Sequence, residues 1–251
     1  MTRTQTISGV IFTSALLSLQ GVSAAAKESK QPNILFISID DLRTQLGAYG
    51  DSYMVTPTLD ALAEDGRLFV NHYVQVPTSG ASRAALLTGR YPTLQWHTNN
   101  HYLTKELIGS QEGEEPETFV HHLRRNGYYT VGMGKISHSP DGGTPHEGEY
   151  IAELPFSWDK FVTDPNTLWP RGDGLLHSYA DGGSRYDKSG YNPVFEAREV
   201  EDTSYPDGRL ADLATAQIEE LANCDKPFFM AVGFYKPHLR GIKQNVTLQT
   251  G

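Results

Sequence analysis

The sequence feature that most constrains the fold is an almost continuous apolar run at Pro32–Ile39. A run without polar alternation is typical of a parallel strand that is covered on both faces of its sheet. A second run of this kind lies at Phe228–Phe234, and segments with helical spacing lie between the two. We therefore predict an α/β fold with a mostly parallel central sheet.

The composition fits one globular domain with enough chain to bury a core. The 251 residues are 38% hydrophobic and carry a formal net charge of −9. An acidic chain lacks the basic surface that binds a nucleic-acid backbone, so we predict no nucleic-acid partner. The charge does not exclude an anionic substrate, because a pocket can be locally positive.

The first 26 residues read as a secretory signal peptide. Arg3 precedes an apolar stretch at Ile7–Leu19, and small residues that suit cleavage follow from Val22. The stretch is short and polar for a membrane span, although an uncleaved N-terminal anchor is the alternative. We predict a secreted or periplasmic protein, with a catalytic domain at 27–251 and no stable membrane insertion after cleavage.

The rest of the chain alternates between helical and extended patterns. The stretch 139–207 is rich in Gly, Pro, Asp and aromatic residues, and we predict that it is a loop-rich insertion with little regular structure. Capping residues and spacing predict three helices and two further strands. The helices are Thr56–Gly66, Glu117–Asn126 and Gly208–Asn223, and the strands are Leu68–Val76 and Tyr128–Gly134.

A small polar turn at Ser79–Arg83 precedes a short helical stretch. We expect Ser79 just before the helix N-terminus, where free backbone N–H groups and the helix dipole favour negative charge. Arg83 lies about one turn later and can reach back to the same oxygen. The pattern indicates a site for a tetrahedral anion such as sulfate or phosphate. A serine cap followed by a solvated arginine is the alternative.

Two adjacent carboxylates, Asp40 and Asp41, follow the first apolar run. Ligands of open α/β sheets bind beyond the carboxyl ends of the strands. Adjacent carboxylates repel each other unless a positive charge compensates, and a hard divalent cation does this well. One helix cap plus one surface acid is the alternative.

A lysine and a histidine follow each of two other predicted strands. Lys135 and His138 come after one strand, and Lys236 and His238 come after the second apolar run. The side chains of Lys135 and His138 can face the same cleft as the carboxylate pair, because the carboxyl ends of parallel strands share one edge. Solvated lysines and loop or core histidines are the alternative.

A polar loop near Trp96–Tyr102 contains His97, Asn99, Asn100 and His101. These side chains are candidates for lining a substrate cleft. A polar surface loop without a binding role explains the same residues.

Together these motifs resemble the type I sulfatase family, within the alkaline phosphatase superfamily, and most closely its iduronate-2-sulfatase-like branch. The family signature appears here as Ser79-Gly80-Ala81-Ser82-Arg83 followed by Thr88-Gly89-Arg90. The resemblance runs from about Pro32 to His238, with four motifs in the family order. It implies an alkaline-phosphatase-like, three-layer α/β/α sandwich. It fades from about Gly241, so we expect the N-terminal part of a sulfatase, with the sheet incomplete at the C-terminus.

The resemblance also implies a chemistry for each motif. Ser79 would be oxidised to formylglycine, the nucleophile, and a Ca²⁺ ion, or Mg²⁺, would be bound. Arg83 and Lys135 would stabilise charge, and His238 would protonate the departing oxygen. The implied catalytic residues are Ser79, Arg83, Lys135, His138 and His238. The implied metal ligands are Asp40, Asp41 and Ser79, and the candidate substrate-binding residues are Lys236, His97 and His101.

The implied activity is hydrolysis of sulfate esters on sulfated polysaccharide or glycosaminoglycan sugars, after a maturation enzyme has oxidised the serine. We do not expect turnover from this stretch of chain alone, since family members continue well beyond it. One alternative is a phosphodiesterase or phosphohydrolase that uses unmodified Ser79 or Thr78. Another is a homologue that binds sulfated glycans without cleaving them.

Overall fold

The computed structural model describes most of the chain between residues 31 and 238. The described residues are 31–100, 103, 107–109, 117–139, 142–146, 149–163, 177–183 and 196–238. The predicted signal peptide at 1–26 and the candidate His101 lie outside them. Among the helices described, none is both long and apolar enough to cross a membrane.

A four-stranded sheet of parallel strands forms the centre of the described structure, in the order β1-β6-β2-β5. A separate antiparallel pair is formed by β3 and β4. The strands are β1 (Ile34–Ile39), β2 (Tyr129–Gly134), β3 (Gly143–His146), β4 (Glu149–Ala152), β5 (Lys160–Phe161) and β6 (Phe228–Phe234). The prediction of a mostly parallel sheet in an α/β fold is confirmed.

Helices cover both faces of this sheet. They are α1 (Pro57–Asp65), α2 (Ser79–Thr88), α3 (Phe119–Arg125) and α4 (Pro206–Ala222), with short 3-10 helices at Gly47–Tyr49, Gln95–Thr98 and Asp202–Ser204. The side chains of β6 alternate between two cores. Phe229 and Ala231 pack with α2 and α3, whereas Met230 and Val232 pack with α4. The result is a three-layer α/β/α sandwich.

Local sequence explains where the two helices beside the site begin. Pro206 starts α4, because its fixed φ suits the first helical position and its missing N–H would be unpaired there. Thr118 caps α3 by accepting a hydrogen bond from the backbone N–H of His121. In α4 the buried positions Leu210, Ala214 and Leu221 follow helical spacing.

Two expectations about apolar segments are wrong. β1 is not covered on both faces, because Leu35 and Ile37 are 47% and 52% exposed, and β1 lies at the edge of the described sheet. The stretch Leu68–Val76 is not a strand, and its Phe69 is exposed. A strand needs a partner for its backbone, and no partner strand for this stretch occurs in the described chain.

The stretch 139–207 contains more regular structure than its composition indicates. It holds β3, β4 and β5, and β5 extends the central sheet by pairing Lys160 with Val131. A two-residue strand leaves no period-2 signal in the sequence, which is why the pattern does not predict it.

Candidate active site

Four neighbouring pieces of backbone converge at the carboxyl edge of the central sheet. Asp40 follows β1, Lys135 follows β2 and His238 follows β6, and these three strands are adjacent in the sheet. Ser79 is the first residue of α2, with Thr78 at the N-cap. The topology therefore brings four of the predicted motifs to one edge.

Asp40 is the centre of this cluster, and only 4% of its surface is exposed. Its Oδ1 accepts hydrogen bonds from the Ser79 hydroxyl at 3.2 Å and from Nη2 of Arg83 at 3.0 Å. Its Oδ2 accepts one from Nζ of Lys135. A buried carboxylate is tolerated because two cations and a hydroxyl compensate its charge.

Arg83 fixes the Ser79 hydroxyl from the other side. Its Nε donates to Ser79 Oγ at 3.2 Å, while Nη1 donates to the carbonyl oxygens of Lys135 and Ile136. The rigid guanidinium plane thus links the first turn of α2 to the end of β2. Ser79 Oγ is held between a carboxylate and a guanidinium, at the positive end of a helix.

Asp41 and His238 complete the cluster at its more open side. Asp41 adopts a left-handed backbone conformation with φ +60°, and Nδ1 of His238 lies 2.6 Å from its Oδ2. The same Nδ1 lies 3.2 Å from Oδ2 of Asp40. The expected metal pair is therefore together, and the structure adds His238 to it.

This donor set fits a divalent cation. One ligand atom from each of Asp40, Asp41 and His238 can be chosen so that all three lie within 4.8 Å of one another. Two carboxylates are the ligands that hard cations such as Ca²⁺ and Mg²⁺ prefer, and a histidine nitrogen is a common metal ligand. Ser79 Oγ, beside Asp40, lies where it can add a further oxygen.

Burial and charge shift the pKa values of the clustered groups. Burial would raise the pKa of Asp40, but the ammonium of Lys135 and the guanidinium of Arg83 outweigh it and hold that pKa below its usual range. Burial lowers the pKa of Lys135, against the opposing effect of Asp40. Burial and the nearby Lys135 lower the pKa of His138, so its ring is neutral at pH 7.

His138 and Lys236, also predicted, lie on the two loops that follow β2 and β6. Among the described residues, no hydrogen-bond partner reaches the buried Nδ1 of His138. Lys236 is buried, and its Nζ donates to the carbonyl oxygen of His238 at 3.4 Å. Both loops place one lysine and one histidine at the sheet edge, as the sequence predicts.

His97 stabilises its own turn. Its Nδ1 accepts the backbone N–H groups of Thr93 and Leu94, both at 3.3 Å. This contact explains the histidine without a ligand, so a substrate-binding role for His97 stays a prediction.

Asn100, from the polar loop, and two residues that the motif analysis did not select also shape the site. Asn100 accepts the backbone N–H of Gly80 at 2.9 Å and so holds the first turn of α2. Glu153 accepts backbone N–H groups of the loop after β2, and Asp207 accepts those of the loop after β6. Only Asp207 has a sequence signal, because it follows a proline that starts a helix.

The comparison with family profiles gives one match over most of the chain. The profile of the family described as Sulfatase matches residues 32–242. This span includes every motif described above and all four strands of the central sheet.

Curated relatives extend the match to individual proteins. Iduronate 2-sulfatase from Homo sapiens is 30% identical over 239 residues, which are 92% of this chain and 40% of that protein. N-acetylgalactosamine-6-sulfatase from Canis lupus familiaris is 38% identical over 137 residues, which are 50% of this chain and 25% of that protein. The chain thus spans less than half the length of these relatives.

Solved structures give the same fold. A phosphonate monoester hydrolase of Agrobacterium radiobacter aligns with a TM-score of 0.56 and 26% identity, over 83% of this chain and 41% of that one. The PsFucS1 sulfatase from Pseudoalteromonas sp. aligns with a TM-score of 0.51 and 26% identity, over 85% and 45%. Both alignments support the α/β architecture described above.

Proposed function

Because the chain belongs to the sulfatase family, we propose that its site serves the hydrolysis of sulfate esters on sulfated sugars. The observation that carries the proposal is the position of Ser79 Oγ, between Asp40 Oδ1 and Arg83 Nε at the start of α2. The relatives named iduronate 2-sulfatase and N-acetylgalactosamine-6-sulfatase support a sugar substrate.

The proposed nucleophile is formylglycine made from Ser79, assisted by a divalent cation that Asp40, Asp41 and the oxygen of residue 79 would hold. Hydrated formylglycine would supply the nucleophilic oxygen, and a Ca²⁺ or Mg²⁺ ion would supply the positive charge that lowers the pKa of that oxygen. Arg83 orients the side chain at position 79, because its Nε and Nη2 bind Ser79 and Asp40 at once.

Three other side chains would act on the substrate. Lys135 brings a buried ammonium to the edge where the sulfate group would lie, and such fixed charge stabilises a developing anion strongly. His138 is neutral at pH 7 and can accept or donate a hydrogen bond there. His238 faces the carboxylates through Nδ1, so its Nε2 is the nitrogen that would protonate the departing oxygen.

The proposal includes an exported protein, a sulfated polysaccharide or glycosaminoglycan substrate, and a maturation enzyme that oxidises serine. These features follow from the predicted leader and from the family. Since the chain spans about 40% of its first relatives, the activity of the whole protein is part of the proposal.

The deciding experiment is mass spectrometry of the peptide that contains Ser79, on protein made in its native host. We expect the loss of two hydrogens at Ser79, and no loss at this peptide in a Ser79→Ala variant. Thr78→Ala is the matched control and should retain the modification at Ser79.

A second candidate function has its own support, because the phosphonate monoester hydrolase shares 26% identity and the fold. In that case Ser79 stays a serine, and the protein should cleave phosphodiesters faster than sulfate esters. Binding of sulfated glycan without cleavage of either ester, measured on a protein that includes the part of the family length missing here, would instead indicate the non-catalytic homologue. Either result would contradict the sulfatase proposal.

A further inference from the structure

Each of the two loops that carry a lysine and a histidine is held by a buried carboxylate from elsewhere in the chain. Glu153 holds the loop after β2, and Asp207 holds the loop after β6. The two carboxylates lie within the stretch 139–207 that the sequence analysis treated as an insertion. Neither belongs to the cluster around Asp40.

Asp207 lies in the first turn of α4 and is 6% exposed. Its Oδ1 accepts the backbone N–H of Tyr235 at 2.8 Å, and its Oδ2 accepts that of Lys236 at 2.9 Å. These are the first two residues beyond β6, where the strand ladder ends. His238 follows two residues later and donates its own N–H to the Tyr235 carbonyl at 3.1 Å.

Glu153 follows β4 and is 1% exposed. Its Oε2 accepts the backbone N–H groups of His138 and Ser139, each at 3.1 Å, and its Oε1 accepts the Ser139 hydroxyl at 2.7 Å. The geometry repeats that of Asp207, because one side chain binds two consecutive N–H groups of a loop beyond a central strand.

Because burying a carboxylate costs free energy, we expect Glu153 and Asp207 to have a role other than stabilising the fold. Taking a carboxylate out of water is expensive, and a buried carboxylate is weak evidence for stabilisation. Hydrogen bonds to charged acceptors are, however, strong and directional. Two such bonds fix the start of a loop beyond its strand, and so fix the side chains that the loop carries.

We infer that Glu153 and Asp207 are positioning residues for the proposed reaction. Glu153 sets the place of His138, and Asp207 sets the places of Lys236 and His238. The inference rests on the proposed function, because the side chains that they position are those that would contact the substrate and its sulfate group. It assigns a role to the stretch 139–207, whose two carboxylates each hold one loop.

The first test is amide hydrogen exchange on the full wild-type chain. The amides of His138, Ser139, Tyr235 and Lys236 should exchange as slowly as amides inside β2 and β6, although they lie beyond the strands. Exchange at the rate of an open loop would overturn the inference without any variant.

The second test compares Asp207→Asn with Asp212→Asn, an exposed aspartate of the same helix. Asparagine keeps one acceptor and turns an NH₂ group toward the other amide. We expect roughly tenfold faster exchange at that amide, with β6 unchanged. Glu153→Gln should act in the same way on the loop after β2, with exposed Glu219→Gln as its control. Equal acceleration throughout the sheet would assign the carboxylates to overall stability instead.

The third test measures the affinity for two probes, Ca²⁺ and inorganic sulfate, by calorimetry. Asp207→Asn and Glu153→Gln should each weaken the affinity for at least one probe by about tenfold, as losses of supporting hydrogen bonds do at metal sites. The two controls should match the wild type. Unchanged affinities in folded variants with faster exchange would show that the loops are held but not for binding, and would overturn the inference.

The outcomes separate this inference from the proposed function. A wild-type chain that binds neither probe, with its four loop amides protected, contradicts the proposed site while the carboxylates still hold the loops. Where a variant does not fold, Asp207→Glu or Glu153→Asp replaces it. These substitutions keep the charge, so we expect them to retain most of the wild-type affinity for the two probes.

Discussion

At the scale of single residues, Arg83 binds four acceptors of the site at once. Its guanidinium binds Ser79 Oγ, Asp40 Oδ1 and the carbonyl oxygens of Lys135 and Ile136. A lysine has one charged nitrogen on a flexible stem and cannot reach these four acceptors in one plane. We therefore expect Arg83→Lys to lower the free energy of unfolding by about 3 kcal/mol, measured by urea denaturation.

Arg90, on the exposed segment just beyond the same helix, provides the control. Arg90→Lys should change stability by less than about 0.5 kcal/mol. Equal effects of the two substitutions would mean that the planar contacts of Arg83 do not contribute to the free energy of unfolding.

Asp207 makes stability depend on pH in an unusual direction. Burial raises its pKa from 3.8 to about 6, against the two backbone N–H groups, which lower it. The folded state then binds the proton more tightly than the unfolded state. This contribution is therefore complete below about pH 4 and is lost as the pH rises through about 6, by about 3 kcal/mol in total.

The asparagine side chain of an Asp207→Asn variant does not titrate, so the variant lacks this pH-dependent loss of stability. We expect the stability of the wild type, relative to the variant, to fall by about 2.5 kcal/mol between pH 4 and pH 7 in denaturation experiments. Asp212→Asn should show no such trend. A constant difference between wild type and Asp207→Asn would contradict the raised pKa.

How far the sequence predicts the site depends on the kind of contact. Asp40 and Lys135 were predictable, because residues just beyond parallel strands gather at one edge. The pairing of His238 with both carboxylates was not, since it depends on the left-handed turn at Asp41. Glu153 was also not predictable, because a side chain that binds distant backbone leaves no local pattern.

At the scale of elements, β2 and β6 approach each other unusually closely where they end. Gly134 has φ +68°, and a Cβ there would lie 2.3 Å from the carbonyl oxygen of Gly233. We expect Gly134→Ala to lower the free energy of unfolding by about 3 kcal/mol, because it combines a strained φ with a steric overlap. Urea denaturation of the wild type and the variant measures this difference in the free energy of unfolding.

Gly50 separates the two causes. It also has positive φ, +86°, but a Cβ there meets nothing within 4 Å. Gly50→Ala should therefore cost only about 1 kcal/mol. If the two variants are equally unstable, the steric overlap with the Gly233 carbonyl oxygen does not contribute to the loss of stability in Gly134→Ala.

Elements were predicted better where packing surrounds them on all sides. β6 has the bounds that its apolar run indicates, because it lies between two strands and under two helical layers. The predicted helix Gly208–Asn223 begins earlier, at Pro206. Leu68–Val76 has strand-like composition without a strand, because composition does not supply a partner.

At the scale of the whole molecule, apolar side chains remain open to solvent along the first third of the described chain. They include Leu35 and Ile37 on the edge strand, whereas Phe36 between them packs against Phe119 and Phe229. An open edge with apolar side chains is a template for pairing with another chain. We therefore expect the protein to self-associate as its concentration rises.

The double variant Leu35→Thr and Ile37→Thr should reduce this association, measured by sedimentation velocity. Threonine suits an exposed strand, so stability should change by less than about 1 kcal/mol. Leu213→Thr, an exposed leucine on α4, is the control and should leave association unchanged. Phe36→Ala, on the packed face, should instead cost about 3 kcal/mol of stability.

The alternation of exposed and packed residues in β1 was hidden by its composition. A continuous apolar run cannot reveal which face lacks a cover, because every position is apolar. The fold class was predictable from local pattern, whereas coverage of each face depends on all the chain that packs there.

The sheet order also determines how long β1 remains without its neighbouring strand during synthesis. β6 lies between β1 and β2, yet it is the last described strand to be made: the N–H of Phe228 binds the side chain of Asn33, 195 residues earlier. At a synthesis rate of about 5–20 residues per second, roughly 10–40 s pass between the synthesis of β1 and that of β6. Unguided collapse of a chain takes microseconds. A ribosome-bound chain therefore carries an unpaired apolar strand until residues 228–234 have been made, and its yield in a cell depends on whatever shields that strand until then.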